Sequence, residues 1–174
     1  MKKLALFVLA ALALGAGFYA QQLLGGGQTV GESAAPKLAF AYPDVNGQVQ
    51  DVAQWQGKVL VINFWASWCG PCLKEIPEFI KLQDEYAGKN VQFVGIAIED
   101  KEPVAEYLQR VKINYPILIA GDAGSGLSRQ LGNIINAVPF SVIVNQQGQI
   151  VHRQPGELSR DQFIKVVEPL LAAK

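Results

Sequence analysis

Cys69 and Cys72 are the only cysteines among the 174 residues of this chain, and their spacing indicates redox chemistry. The apolar run 59–65 just before them predicts a strand buried on both faces of a sheet. Pro71 suits a first helical turn, and apolar residues recur at helical spacing beyond it. The amides and dipole of a helix N-terminus stabilise a thiolate and lower the thiol pKa. The pattern therefore predicts dithiol–disulfide exchange, in which Cys69 attacks a substrate disulfide and Cys72 then displaces the substrate from Cys69.

Two other uses of a Cys-x-x-Cys pair fit this sequence less well. A structural zinc site needs about four ligands, but the chain has no further cysteine and its sole histidine, His152, lies far along the chain. A purely structural disulfide across so short a loop would stabilise little through the unfolded chain. We therefore interpret the pair as redox-active.

The residues around the pair resemble the active site of the thioredoxin superfamily. The resemblance is carried by the segment 64–72, which reads Phe-Trp-Ala-Ser-Trp-Cys-Gly-Pro-Cys, by Pro77, and by Val138-Pro139 before a late strand. From about Leu38 to its end, the chain is similar to the TlpA/ResA-like branch of membrane-anchored thiol–disulfide reductases. The resemblance implies an α/β, thioredoxin-like fold: a central mixed sheet flanked by helices, with an N-terminal hairpin and an inserted strand–helix unit.

The resemblance also implies functions for residues outside the cysteine pair. Trp68 and Pro139 would flank the sulfurs as an apolar substrate-binding surface, and Val138 would pair with the substrate backbone. The Val138–Pro139 peptide bond would be cis and would face the disulfide. Gly70 and Pro71 form the active-site loop, the part of the site that tunes thiolate stability.

Cys72 is expected to be buried and to need a proton acceptor. Thioredoxin has a buried aspartate in the strand at the position that holds Asn63 here, and an amide cannot titrate. Members of the TlpA-like branch often place an acid at the end of the inserted strand, where Glu99 and Asp100 stand. Asp100 also fits the N-cap of the following helix. We therefore predict Glu99 as the catalytic acid, with Asp100 as the alternative and two solvated loop acids as the simpler interpretation.

The N-terminal residues predict a membrane segment. Met1-Lys2-Lys3 precedes an uncharged apolar run, Leu4–Ala20, which is either a signal peptide or a membrane anchor. The run is long for a signal peptide and Phe18 disfavours cleavage after Ala20, so we favour an uncleaved anchor. The paired lysines should stay cytoplasmic. This predicts a single-pass protein of the bacterial inner membrane, with its catalytic domain facing the periplasm or the cell exterior.

The chain is thus expected to have three parts: a membrane anchor or signal segment at 1–24, a flexible linker at 25–36, and a thioredoxin-like domain at 37–174. The linker is rich in Gly, Ser and Ala. Basic and acidic residues number 15 each, and the formal net charge is zero. This balance gives no sign of a nucleic-acid partner.

The first half of the domain has clear signals for its elements. Asn46-Gly47 between two short apolar runs predicts a hairpin with a type I′ turn. The helix after Cys72 should run to about Tyr86, with a kink at Pro77. From Val91 to Ala120, a strand–helix–strand pattern predicts a right-handed parallel crossover.

The second half has weaker signals. Residues 121–132 look like a loop that holds a short helix, capped by Ser125 and ended by Gly132. The spacing Ser159-x-x-Gln162 predicts a capping box for the last helix. His152 is predicted to be a solvent-facing strand residue without a catalytic function.

The predicted reaction is reduction of disulfides in exported proteins, with cytochrome c maturation as one setting that the resemblance suggests. A membrane electron donor would re-reduce the cysteine pair, and no metal or other cofactor is expected. Gly70-Pro71 is the dipeptide of thioredoxin, whose potential lies at ~−270 mV, whereas the oxidant DsbA lies near ~−120 mV. The alternatives are a thiol oxidase or disulfide isomerase that uses the same site, and a non-enzymatic membrane-tethered adaptor.

Overall fold

The computed structural model of the chain describes residues 38–172. The predicted anchor at 1–24 and the predicted linker at 25–36 lie outside this part. Among the described residues, no helix is both long and apolar enough to span a bilayer.

A five-stranded mixed sheet forms the centre of the domain. Residues 38–172 contain seven strands, of which the first two form a separate hairpin: β1 (Ala41–Pro43), β2 (Val49–Asp51), β3 (Val59–Trp65), β4 (Val91–Ala97), β5 (Ile117–Ile119), β6 (Phe140–Val144) and β7 (Ile150–Pro155). The sheet order is β5-β4-β3-β6-β7. β4 lies parallel to both β3 and β5, whereas β6 is antiparallel to β3 and β7. The predicted mixed sheet, the hairpin and the parallel crossover are therefore confirmed.

Four helices cover the two faces of the sheet: α1 (Gly70–Tyr86), α2 (Lys101–Arg110), α3 (Gly121–Gln130) and α4 (Arg160–Ala172). Every residue of β3 is buried, Asn63 included, as its largely apolar run predicts. Successive side chains of a strand point to opposite faces. Val61 and Trp65 therefore pack with α1, α2 and α4, whereas Ile62 and Phe64 pack with α3 and the short 3₁₀ helix Val52–Trp55.

The sheet register brings the ends of several elements to one edge. Trp65 at the end of β3 pairs with Ala97 at the end of β4, and Phe64 pairs with Phe140 at the start of β6. Three segments therefore meet at this end of the sheet, namely 66–72, 98–100 and 132–139. We call this end of the sheet the disulfide edge.

The hairpin turn differs from the predicted type I′ turn. The carbonyl of Asp44 accepts a hydrogen bond from Gly47 N at 2.9 Å, and of the loop residues only Gly47 has a positive φ, +82°. This is a three-residue loop with a type I turn followed by a left-handed glycine. The Asp44 carboxylate fixes it, because Oδ1 accepts from Asn46 N at 2.8 Å and from Gln48 N at 3.0 Å.

Residues 121–130 form a continuous helix, so the predicted loop with Ser125 as a cap is wrong. α3 begins at Gly121, and Ser125 lies in its interior. A Cβ on Gly124 would lie 3.3 Å from Ile98 Cγ2 and 2.9 Å from Ala120 Cβ. Gly124 thus serves close packing of the helix against the end of β4, although a glycine-rich segment looks like a loop in the sequence. Gly132 follows with a φ of +109°, as expected for a residue that ends a helix.

The predicted end of α1 and the predicted capping box of α4 are confirmed, and the kink at Pro77 stays a prediction. α1 ends at Tyr86 and contains Pro77. The capping box of α4 is present, because Ser159 N donates to Gln162 Oε1 at 2.9 Å and Gln162 N donates to Ser159 Oγ at 3.3 Å.

Candidate active site

Cys69 and Cys72 form a disulfide bond where β3 gives way to α1. Cys69 is the N-cap residue of α1, and its Sγ accepts a hydrogen bond from Cys72 N at 3.2 Å. Cys72 is fully buried, whereas Cys69 keeps 5% of its surface exposed. In the reduced pair, the first amides of the helix are in place to stabilise a thiolate on Cys69. Cys69 is therefore the cysteine that a substrate can reach.

Glu99 holds the turn that leads to Cys69. Its Oε1 accepts a hydrogen bond from Ser67 N, and its Oε2 accepts from Ser67 Oγ at 3.1 Å. A second contact closes the same turn, since Cys69 N donates to the carbonyl of Ala66 at 3.1 Å. Trp68 lies between these two fixed points with 68% of its surface exposed. Both carboxylate oxygens of Glu99 are therefore engaged in fixing the loop that presents Trp68 and Cys69.

Glu75 is a buried acid that the sequence analysis did not identify. Only 4% of its surface is exposed. Its Oε1 accepts from Asn63 Nδ2 at 2.8 Å, and its Oε2 accepts from Leu158 N at 2.9 Å. Burial raises the pKa of Glu75 from 4.5 to about 7, although the hydrogen bonds from Leu158 and Asn63 lower it. Because residues three apart share a helix face, Glu75 lies on the same side of α1 as Cys72.

Asn63 supports this acid from the central strand. Its Nδ2 also donates to Ser141 Oγ at 3.0 Å, so the amide joins β3 to both α1 and β6. Position 63 of β3 thus carries an amide where thioredoxin has a buried aspartate, and Glu75 of α1 supplies a buried carboxylate instead. One signal in the sequence could have revealed it: Glu75 stands among the buried positions Cys72, Ile76 and Phe79 of one helix face.

Pro139 lies at the disulfide edge, and the Val138–Pro139 peptide bond is cis as predicted. The carbonyl of Pro139 accepts from Gly156 N at 2.9 Å, and the next residue, Phe140, pairs with Phe64 of β3. Val138 is partly buried and packs against the hydrophobic core. The fold thus brings Val138 and Pro139 to the same edge as Trp68 and the disulfide.

The remaining residues considered in the sequence, Asp100, His152 and Trp65, belong to the framework of the fold. Asp100 is the N-cap residue of α2, but its side chain makes no capping hydrogen bond. His152 is half-buried and pairs with Ile143, which faces the core, so the prediction of a solvent-facing residue is wrong. Within residues 38–172, neither His152 Nε2 nor Trp65 Nε1 has a hydrogen-bond partner. Trp65 is a core residue that packs on Tyr107, with 5.5 Å between the ring centroids.

The pKa of Glu75 predicts a specific dependence of stability on pH. Its value of about 7 in the folded protein exceeds the ordinary 4.5, so the folded state binds this proton more tightly than the unfolded chain does. The stabilisation from Glu75 is therefore fully present below pH 4.5 and is lost as the pH rises to about 7. Glu75→Gln should remove this loss. Urea unfolding of the full-length oxidised chain, followed by tryptophan fluorescence at a series of pH values, measures it.

The informative quantity is the difference between the stability curves of the variant and the parent protein, because all other titrating groups are shared. Glu106→Gln, which alters an exposed glutamate of α2, is the matched control and should give a curve parallel to that of the parent. Parallel curves for Glu75→Gln and the parent would contradict the prediction.

Comparisons with known proteins agree with this geometry. The family model described as Redoxin matches residues 29–168. The chain is 25% identical over 171 residues to the thiol-disulfide oxidoreductase ResA of Halalkalibacterium halodurans, covering 96% of this chain and 94% of that protein. It is also 25% identical over 136 residues to ResA of Bacillus subtilis, covering 75% of this chain and 73% of the relative.

Solved structures share the fold. A thiol:disulfide interchange protein of the thioredoxin family from Chlorobium tepidum superimposes with a TM-score of 0.70 at 29% identity, covering 79% of this chain and 96% of that one. The predicted thioredoxin-like fold and the resemblance to TlpA/ResA-like proteins are confirmed. With its Cys69–Cys72 pair at the start of α1, this chain is a thioredoxin-like thiol–disulfide oxidoreductase and belongs to the Redoxin family.

Proposed function

We propose that this chain reduces disulfide bonds in exported proteins while residues 1–24 hold it in a bacterial inner membrane. The main support is the arrangement of the cysteine pair. Cys69 stands at a helix N-terminus beside the exposed Trp68, and the buried Cys72 shares its helix face with an acid of raised pKa. This arrangement suits a nucleophile that meets a substrate at the surface and a second thiol that acts from inside.

The reaction moves two electrons from the enzyme to the substrate. The Cys69 thiolate attacks one sulfur of the substrate disulfide, which forms a mixed disulfide and releases the other substrate sulfur as a thiolate. Cys72 then loses its proton and attacks Cys69 Sγ. This second step breaks the mixed disulfide, releases the remaining substrate thiolate and leaves Cys69 and Cys72 oxidised.

Glu75 is the proton acceptor that we assign to the second step. A group whose pKa lies near the working pH exchanges protons most effectively, and burial raises the pKa of Glu75 to about 7. Its carboxylate lies one helical turn beyond Cys72, inside the protein, where solvent cannot take the proton directly. Asn63 and the amide of Leu158 support the ionised form with two donated hydrogen bonds.

Glu99 has a different function in this proposal. From the sequence, Glu99 was expected to be the catalytic acid. Its oxygens bind Ser67 in the turn before Cys69, whereas Glu75 lies on the helix face of the buried Cys72. We therefore assign Glu99 to positioning: it holds the turn that carries Trp68 and the nucleophile Cys69. Trp68, Val138 and Pro139 then form the substrate-binding surface, and Gly70-Pro71 tunes the potential of the pair.

The direction of electron flow is the second part of the proposal. Gly70-Pro71 is the dipeptide found in thioredoxin, and the resemblance to the membrane-anchored TlpA/ResA-like branch favours a role among exported proteins, with cytochrome c maturation as the narrower setting. Outside the cell membrane, a reductase must be recharged by a membrane electron donor, which the apolar segment 4–20 would bring close. An oxidase or isomerase would run the same exchange in the opposite direction.

The reduction potential of the Cys69–Cys72 couple tests the direction. We expect a value near or below that of thioredoxin, ~−270 mV, because the two share the dipeptide between the cysteines. Equilibration of the full-length chain in glutathione or dithiothreitol buffers, followed by quantification of free thiols, gives the potential. A value close to ~−120 mV, as in a strong oxidant, would reverse the proposed direction and leave the exchange chemistry intact.

Substrate trapping tests the order of the two cysteines. In Cys72→Ser the mixed disulfide cannot be resolved, so adducts with exported proteins should accumulate and disappear on treatment with a reductant. Non-reducing electrophoresis of cells that express the variant detects them. Cys69→Ser is the matched control and should form no such adducts because the accessible nucleophile is gone. A chain that acts only as an adaptor would give no adduct with either variant.

Three variants separate positioning by Glu99 from proton transfer. Glu99→Gln keeps an oxygen for Ser67 N and an amide for Ser67 Oγ, so it should change the exchange rate by less than about threefold. Glu99→Ala releases the turn and should lower the rate by up to about 100-fold. Ser67→Ala removes one of the two contacts and should lie between them. The measurement is the pH profile of insulin disulfide reduction by the full-length chain.

Positioning and proton transfer by Glu99 predict different rates for its two variants. If Glu99 transferred the proton, Glu99→Gln would be as slow as Glu99→Ala, with a loss of about 100-fold or more and a changed pH profile. For a positioning residue, the profile of Glu99→Gln should follow that of the parent.

A further inference from the structure

Ser141 carries a fully buried hydroxyl in the otherwise apolar strand β6. A hydroxyl that is removed from water needs a hydrogen-bond partner inside the protein. In the sheet, Ser141 pairs with Asn63 of β3, and its Oγ accepts a hydrogen bond from Asn63 Nδ2 at 3.0 Å. Ser141 thus binds the amide that supports Glu75, the proton acceptor assigned above.

One nitrogen makes both hydrogen bonds of this network. Asn63 Nδ2 carries two hydrogens, of which one is donated to Glu75 Oε1 at 2.8 Å and the other to Ser141 Oγ. The three side chains belong to residues that are at most 4% exposed, so bulk water does not replace a lost partner. While Glu75 is ionised, the serine oxygen therefore keeps the N–H side of the amide turned toward the carboxylate.

The other carboxylate oxygen of Glu75 has a partner that cannot change its direction. Oε2 accepts from the backbone N–H of Leu158 at 2.9 Å, and this group is a donor only. When Glu75 takes up a proton, the proton therefore belongs on Oε1, where it meets an N–H of Asn63. Two donors then face each other unless the amide turns over. A turned amide fills the same space and presents Oδ1, which accepts from Glu75 and from the Ser141 hydroxyl.

We propose that Ser141 is a positioning residue for the proton transfer, because its hydroxyl serves the Asn63 amide in both orientations. It accepts from Nδ2 while Glu75 is ionised, and it donates to Oδ1 after Glu75 has taken the proton from Cys72. The Cys72 thiolate then attacks Cys69 Sγ and releases the substrate thiolate. The inference rests on the exchange proposed above and adds a residue to it.

The two forms of the network depend on the hydroxyl to different extents. Without it, the ionised form leaves one buried N–H of Asn63 unpaired, which is unfavourable. In the protonated form, the turned carbonyl still accepts from Glu75. Ser141 therefore favours the ionised form of Glu75, which is the form that accepts a proton.

Other titratable groups stand on the elements around this network. Within residues 38–172 they come from α1, the segment before β5, β7 and the segment before α4: Cys72, Lys74, Tyr115, His152 and Glu157. After burial, the nearby charge of Glu157 also raises the pKa of Glu75, and burial followed by the charge of Glu75 raises the pKa of Tyr115. A change at position 141 leaves all of these groups in place, so the difference between variant and parent reports the hydroxyl.

The aromatic disulfide DTNB separates the two steps of the exchange. The reduced full-length chain releases a first thionitrobenzoate when Cys69 attacks DTNB and a second when Cys72 displaces the remaining one from Cys69. The rate of the second release should rise with pH as Glu75 ionises. In Ser141→Ala, the midpoint of this rise should move up by about one pH unit, since loss of one hydrogen bond changes a proton equilibrium about tenfold. The first release should keep the rate and pH profile of the parent.

Three further variants show whether the hydroxyl acts through Glu75. Ser141→Thr keeps a hydroxyl at this strand position and should restore the parent midpoint. Ser128→Ala removes another buried hydroxyl, in α3, and should leave the midpoint unchanged. In a chain that already carries Glu75→Gln, Ser141→Ala should change the rate of the second release by less than about twofold, because the group through which Ser141 acts is gone.

Failure of this inference differs from failure of the proposed function. If the parent releases no second thionitrobenzoate, the exchange by Cys72 is wrong, and if Glu75→Gln keeps the parent pH profile, Glu75 is not the proton acceptor. If both tests succeed but Ser141→Ala keeps the parent midpoint, or Ser141→Thr moves it as far as Ser141→Ala does, the function of Ser141 is wrong. Equal slowing of both releases in Ser141→Ala would indicate damaged packing and would also overturn the inference. Should Ser141→Thr not fold, the comparison of Ser141→Ala with Ser128→Ala decides alone.

Discussion

The buried hydrogen bonds of Glu75 are the contacts on which the rest of the site depends. A carboxylate inside a protein is unfavourable unless its oxygens are satisfied. Here one oxygen accepts from Asn63 of the central strand and the other accepts from Leu158, just before α4. The three segments that surround Cys72 are thereby tied to one group. Burial disfavours the ionised form of Glu75. It therefore raises the pKa of this carboxyl to about 7, where the proton can leave and return.

This arrangement couples proton position to the redox state of the cysteines. Cys72 is fully buried and Glu75 is 4% exposed on the same helix face, so the Cys72 thiolate and the Glu75 carboxylate would be two negative charges in a poorly solvated region. Such pairs do not ionise together, and one proton is shared between them. In the proposed mechanism, a thiolate therefore forms on Cys72 as Glu75 takes up the proton. Cys69 has no such restriction, because it stands at the N-terminus of α1, where amides rather than a buried acid determine the stability of its thiolate.

Most of the fold follows from the sequence, because the strongest patterns are local. The largely apolar run of β3 and the helical spacing after Cys72 gave correct elements, and the motif around the cysteines led to the cis bond at Pro139. The errors arose where tertiary contacts decide the outcome. Gly124 looks like a loop residue until Ile98 is packed against it, and Glu75 looks like a solvated charge next to Lys74 until Asn63 and Leu158 meet it from distant parts of the chain.

In this site the amide, Asn63, stands on the strand and the acid, Glu75, stands on the helix. This placement has a further physical consequence. An aspartate at position 63 would place the titrating group on the strand, fixed by sheet pairing on both sides. With Asn63 there instead, the strand carries an uncharged donor and the acid belongs to α1, the same helix as Cys72. Any movement of this helix during thiol exchange then carries the resolving sulfur and its proton acceptor together. Glu99, in contrast, stands just beyond the end of β4 and binds Ser67, so the turn that presents Cys69 is held from the end of the sheet. The turn that leads to the attacking thiol is thus fixed at the end of the sheet, whereas the proposed proton acceptor stands on α1.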